Sequence, residues 1–113
     1  MAPVVRSLKG DRAFQRLRRG RSGGARLLSV RWRHVREPGL RVGIVASRKV
    51  GNAVVRNRVR RRLREALRDL VADRDLGGRG VDLLVIARPS AATADYAALR
   101  DSLRTALERS SFP

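Results

Sequence analysis

Residues 56 to 64 read Arg-Asn-Arg-Val-Arg-Arg-Arg-Leu-Arg, and Arg68 follows one helical turn later. Guanidinium groups at this density suit one kind of chemistry. Each offers a planar fork of N–H donors that grips a phosphate through two hydrogen bonds, and each stacks on aromatic faces. At about 100° per residue on a helix, Asn57, Arg61, Arg64 and Arg68 line one pole. The opposite sector is an apolar stripe of Val55, Val59, Leu63, Ala66, Leu67 and Leu70. Arg58 and Arg62 flank the cationic pole on one side, Arg56 and Arg60 on the other. A solvated face tied by pairs such as Arg61–Glu65 is the plain alternative, but exposed pairs contribute only about 0.3–0.5 kcal/mol each. Glu65 and Asp69 do not neutralise the seven arginines between positions 56 and 68. That surplus weakens an isolated helix, so an external polyanion is the better account.

The preceding segment, Arg48-Lys49-Val50-Gly51-Asn52, adds to the same surface. Gly51 permits a tight turn and Asn52 suits a helix N-cap. The free N–H groups of the first turn and the helix dipole favour an anion beside Lys49. For Asn52 an ordinary capped turn is the competing reading.

The whole chain carries the same bias. Its 113 residues hold 27 basic and 10 acidic side chains, a net charge of +17. So much like charge in one small domain is self-repelling, and nucleic acid is the first partner that offsets it. An anionic membrane surface is the weaker candidate, because the helix stripe is needed for the core. Arginine in place of lysine fits either codon usage or the guanidinium's grip on phosphate. With no cysteine, disulfides and thiolate-metal sites are excluded, which fits a cytoplasmic location. No apolar run approaches the roughly 20 residues of a membrane helix.

Independent catalysis by the chain is not expected. Its one histidine, His34, falls on the apolar side of an alternating stretch and reads as a core or edge residue. Asp69, Asp73 and Asp75 cluster at a helix end and read as solubilising or arginine-pairing groups. There is no Ser-His-Asp set, no paired catalytic carboxylates and no phosphate-cradling glycine motif. We therefore expect no catalytic residue, no metal and no small-molecule substrate in the protein itself.

The elements that must position these residues are legible. An extended, flexible arm covers 1–9, and a helix runs from Asp11 to Arg19 with Ala13, Phe14 and Leu17 inward and Gly20 as its stop. Arg21 to Gly24 reads as a loop. Arg26 to Val35 alternates, with Leu28, Val30, Trp32 and His34 on one face and Ser29, Arg31 and Arg33 on the other. The turn signal Glu37-Pro38-Gly39 predicts a hairpin with a strand over Leu40–Ser47. The long helix covers Ala53–Ala72. Val81–Ala87 is a strand apolar enough to be covered on both faces. A last helix begins at Thr93 or Ala94 and ends at Arg109, with Tyr96, Leu99, Leu103 and Leu107 inward and a frayed tail over 110–113. The expected fold is a single α/β (α+β sandwich) domain over 1–113. It has a small mixed sheet of three or four strands and three helices in the order α-β-β(-β)-α-β-α.

The run from Ser47 to Glu65 resembles the signature of the protein component of bacterial ribonuclease P, a lysine-glycine-asparagine loop followed by an Arg-Asn-Arg helix. Phe14-Gln15 and Val81 to Pro89 extend the resemblance over most of the chain. The resemblance implies a non-catalytic subunit of a ribonucleoprotein endoribonuclease. Its partners would be the ribonuclease P RNA, which carries the Mg²⁺ and the chemistry, and precursor tRNA, whose 5′ leader is removed. It also implies that Arg56, Asn57, Arg58, Arg60, Arg61 and Arg64 face RNA; the charge and spacing of the helix face and its loop add Lys49, Asn52, Arg62 and Arg68 to that surface. Lys49 and Ser47 would lie near a leader cleft, together with Arg48. Phe14 either stacks on the leader or belongs to the core. Where the family often has a second aromatic, this chain has Arg18. Arg31 and Arg33 either share the stacking and phosphate role or are solvated. A structural RNA-binding protein of similar fold and a nonspecific DNA-binding protein are the competing readings.

Overall fold

The computed structural model describes residues 3–76 and 78–113. The elements in chain order are β1 (Val5–Ser7), α1 (Asp11–Arg16) with a 3-10 turn (Leu17–Arg19), β2 (Arg21–Gly24), β3 (Leu28–Val35), β4 (Gly39–Val45), α2 (Ala53–Val71), β5 (Gly80–Ala87), a second 3-10 turn (Pro89–Thr93) and α3 (Tyr96–Arg109). The α+β class and the three helices stand as expected. The sheet has five strands rather than three or four, ordered β1-β4-β5-β3-β2.

Two of the extra pairings fall where loop and arm were expected. Arg21–Gly24 pairs antiparallel with β3, and Val5–Ser7 pairs parallel with β4. Both are short and mostly exposed, so neither carries the alternation that marks a half-buried strand. The expected arm is also held beyond β1: Leu8 is buried and its N–H donates to the Val42 carbonyl at 2.9 Å, and only Met1 and Ala2 of the arm lie outside the described residues.

The predicted β3–β4 hairpin does not form. β5 inserts between the two strands, antiparallel to β3 and parallel to β4. Val35 at the end of β3 and Gly39 at the start of β4 both pair with Gly80. The Glu37-Pro38 connection therefore bridges over the first residue of β5. A Cβ at position 80 would collide with the Glu37 carbonyl, so glycine is what lets the bridge close. The insertion also follows from burial: β5 is the most apolar strand and the central position covers both of its faces.

One sheet face packs against α2 and α3. Val59, Leu63, Ala66, Leu67 and Val71 of α2 meet Leu99, Leu103, Ala106 and Leu107 of α3 over Leu28, Val30, Trp32, Leu40, Val81, Leu83 and Val85. The other face carries a smaller cluster in which α1 and its 3-10 turn bring Phe14 and Leu17 onto Leu8, Leu84 and Ile86. The last turn of the expected first helix tightens to 3-10 geometry before Gly20. Asp95 sets the start of α3, accepting from the Ala98 N–H at 2.8 Å.

The C-terminal tail is packed rather than frayed. Phe112 is buried, edge-on to Trp32 at 5.8 Å between ring centroids. The Trp32 indole Nε1 donates to the Ser110 carbonyl at 2.9 Å.

Candidate nucleic-acid interface

α2 begins as its sequence predicts. The Asn52 Oδ1 accepts from the Val55 N–H at 3.0 Å, so the side chain is the N-cap. Buried Val50 anchors the loop before it, and Ser47, Arg48, Lys49 and Asn52 are exposed. The Val50 N–H donates to the Ser47 carbonyl at 2.9 Å.

The helix presents its charges as the periodicity requires. Asn57, Arg61, Arg64 and Arg68 are exposed, while Arg56, Arg58, Arg60 and Arg62 lie half-buried along the flanks. Among the described residues none of the seven arginines from 56 to 68 makes an ion pair. The Arg61–Glu65 pair that a solvated face would use is absent. Asp69 turns aside and accepts from the Tyr96 hydroxyl at 2.9 Å. That hydrogen bond, helped by burial and the carboxylate's charge, raises the Tyr96 phenol pKa above its ordinary value.

The two flanks differ. Arg58 Nη2 donates to the Ala92 carbonyl and Arg62 Nη1 to the Ala94 carbonyl, each at 3.1 Å. These two guanidiniums tie α2 to the turn before α3. Arg60 Nη1 donates to Asn57 Oδ1 at 2.8 Å, holding the amide within the polar face. Arg61, Arg64 and Arg68 have no protein partner and stay open to solvent.

A cleft of about 270 Å³ continues from this face toward the sheet. Arg64 and Arg68 form one wall, Phe14 another, and Val42, Gly43 and Ile44 of β4 the floor. β1 pairs with β4 only as far as Val42, so the edge of β4 beyond it is open. The Phe14 ring sits against Gly43, where a Cβ would stand 2.7 Å from Cε1. Phe14 is thus both a partly buried member of the small cluster and a wall of the cleft.

The other leader-cleft candidates do not converge there. Arg31 Nη1 donates to the Arg18 carbonyl at 2.9 Å, bracing the 3-10 turn, while the Arg18 side chain is exposed. Ser47 and Arg48 sit in the loop before α2 and do not line the Phe14 cleft. Arg33 opens into a different concavity at the β3 side of the sheet. Sequence reasoning missed Arg41 and Asp82, whose ion pair lies on the α1 side of the sheet. It needs the β4–β5 register, which no local pattern announces.

A five-stranded mixed sheet crossed by an arginine-faced helix defines a class of small basic α+β domain. The chain belongs to the Ribonuclease P family, whose model matches residues 3–111. It is 57% identical over 104 residues to the ribonuclease P protein component of Thermus scotoductus, covering 92% of this chain and 59% of that protein. The chain therefore spans about three fifths of the length of that Thermus relative. The structure of the Staphylococcus aureus RNase P protein matches with a TM-score of 0.76 and 30% identity, over 90% of this chain and 92% of that one. The Thermotoga maritima RNase P protein matches with a TM-score of 0.74 and 26% identity, over 95% and 97%.

Proposed function

We propose that this chain is the RNA-binding protein subunit of a cytoplasmic ribonucleoprotein endoribonuclease that removes the 5′ leader from precursor tRNA. The observation that carries the reading is the exposed pole of α2, where Arg61, Arg64 and Arg68 have no protein partner and continue into the Phe14 cleft. Unpaired guanidiniums on a rigid helix bind phosphates without reorganising. In this reading the pole, with Asn57 and Lys49, grips the ribonuclease P RNA.

The Phe14 cleft then takes the leader. One aromatic wall and two arginines suit a single strand of variable sequence, because every base has a face to stack and every nucleotide a phosphate. Arg58 and Arg62 position the helix. In this reading the Mg²⁺ of the reaction is held by the RNA.

The test is reconstitution. The protein is mixed with a bacterial ribonuclease P RNA and a precursor tRNA at low Mg²⁺, and leader release is followed. Cleavage that depends on the protein and is lost in Arg61→Ala/Arg64→Ala supports the reading. Absence of stimulation with tight RNA binding intact leaves an RNA-binding protein without a processing role.

A further inference from the structure

β2 pairs with β3 only between Arg21↔Trp32 and Gly24↔Ser29. The β3 edge from Arg33 to Val35 therefore carries no neighbouring strand on that side. A concavity of about 740 Å³ opens there between the edge and α1. Its walls are Arg12, Gln15, Arg16 and Arg19 from α1 and its 3-10 turn, and Arg33 and His34 from β3. Gly20 closes the corner. A Cβ at that position would collide with the Trp32 carbonyl, so glycine lets the arginine-bearing turn lie flush on the strand.

Among the described residues the four guanidiniums have neither an ion pair nor a hydrogen-bond partner, and no acid lines the concavity. Asp82 is the cross-strand neighbour of Arg33 but bonds Arg41 instead. His34 is held edge-on to Trp32, with ring centroids 5.1 Å apart at 88°, and its buried Nδ1 has no hydrogen-bond partner. Four uncommitted forks around one hollow repel each other, and an anion with several acceptor oxygens relieves that repulsion.

We propose that this hollow is a second RNA site, which binds a phosphodiester of the backbone through Arg12, Arg16, Arg19 and Arg33. The proposal rests on the reading of the chain as an RNA-binding subunit. It is separate from the α2 pole and from the Phe14 cleft, with which it shares no lining residue. No hydrophobic side chain lines it, so it offers no anchor for an acidic peptide. The phosphodiester comes either from the catalytic RNA or from the precursor.

The variant Arg12→Gln/Arg16→Gln tests it, because both side chains are exposed and outside the core. Arg16→Gln/Arg33→Gln is the companion on the strand side. Salt dependence is measured in two arms: protein binding to a bacterial ribonuclease P RNA, and precursor tRNA binding to the assembled complex. The expected result is a log–log slope reduced by roughly 0.7–0.9 per lost phosphate contact. A change in the first arm assigns the phosphate to the catalytic RNA, and a change in the second assigns it to the precursor.

Arg26→Gln/Arg104→Gln, an equal charge loss at exposed positions elsewhere, should leave both slopes unchanged. Unchanged slopes in Arg12→Gln/Arg16→Gln, or a drop no larger than in this control, overturn the site. If Arg61→Ala/Arg64→Ala lowers the slope while Arg12→Gln/Arg16→Gln does not, the hollow alone is wrong. If the unmodified protein binds neither RNA, the subunit reading fails with it.

Discussion

Arg41 and Asp82 stand side by side on neighbouring parallel strands, with the guanidinium Nε 2.7 Å from the carboxylate Oδ1. Asp82 is only 3% exposed, whereas the Arg41 side chain is 32% exposed and also reaches Glu37 Oε2 at 3.1 Å. The arrangement is asymmetric: losing the arginine strands a charge inside the protein, while neutralising the acid leaves a guanidinium that water reaches. Breaking a buried pair from one side costs about 3–5 kcal/mol. Arg41→Ala should fall near the lower end because the pair is partly wet. Asp82→Asn keeps an acceptor and should cost about 1–2 kcal/mol. Denaturant unfolding of the two variants decides the matter, and a smaller loss for Arg41→Ala would mean that the carboxylate is hydrated.

Gly43 and Phe14 set the shape of the cleft. A methyl group at position 43 would stand 2.7 Å from Phe14 Cε1 and 3.3 Å from Leu84 Cδ1. Gly43→Ala should therefore displace the ring and cost about 1–3 kcal/mol. Phe14→Leu in the same chain should recover part of that loss, giving a coupling of at least about 0.5 kcal/mol in a double-mutant cycle. Additive effects would place the ring away from Gly43. Under the proposed function, Phe14→Ala weakens binding of precursor tRNA to the assembled complex more than binding of mature tRNA.

Arg61 and Arg62 are neighbours in sequence with opposite expected phenotypes. Arg62 holds the Ala94 carbonyl, and Arg61 holds nothing in the protein. Arg62→Ala should lower stability by about 1 kcal/mol. Arg61→Ala should stay within about 0.5 kcal/mol of the unmodified protein. In RNA binding the order reverses: Arg61→Ala reduces the salt slope by roughly 0.7–0.9 and Arg62→Ala leaves it nearly unchanged. Thermal unfolding and RNA titration on the same two preparations give both readouts. Parallel behaviour of the two variants would refute the division.

These contrasts mark what the sequence made legible. The stripe and pole of α2 follow from a 3.6-residue period, which is local, and burial follows it from Val59 to Leu67. The buried stripe ends on Val71 rather than on the expected Leu70, which like Val55 is only partly buried. Strand order is not local. The place of β5 between β3 and β4 depends on Gly80 admitting the Glu37 carbonyl, and Pro38-Gly39 turn chemistry alone points to a hairpin. β2 is hidden for a related reason. A Cβ at Gly23 would collide with the Ala106 carbonyl of α3, so the strand carries glycine where alternation would need a side chain. Arg58 and Arg62 looked like their neighbours because carbonyl partners more than 30 residues away leave no mark on the helix itself.

Tyr96 is the chain's one tyrosine, so its ionisation can be followed without interference. Its hydroxyl donates to Asp69 at 2.9 Å, and this hydrogen bond is the main reason its pKa is raised above the ordinary phenol value of about 10. The neutral phenol is the form that the folded state favours. Its contribution to stability is complete below the unfolded value of about 10 and is lost as pH rises through the higher folded value. Tyrosinate absorbance in the native protein should thus have its midpoint above that of a model phenol. Asp69→Asn removes the charge while keeping an acceptor, and should move the midpoint back toward the ordinary value. A native midpoint at or below that value would mean that Asp69 is not bonded to Tyr96 in solution. The carboxylate would then be free to offset the arginines of α2 instead.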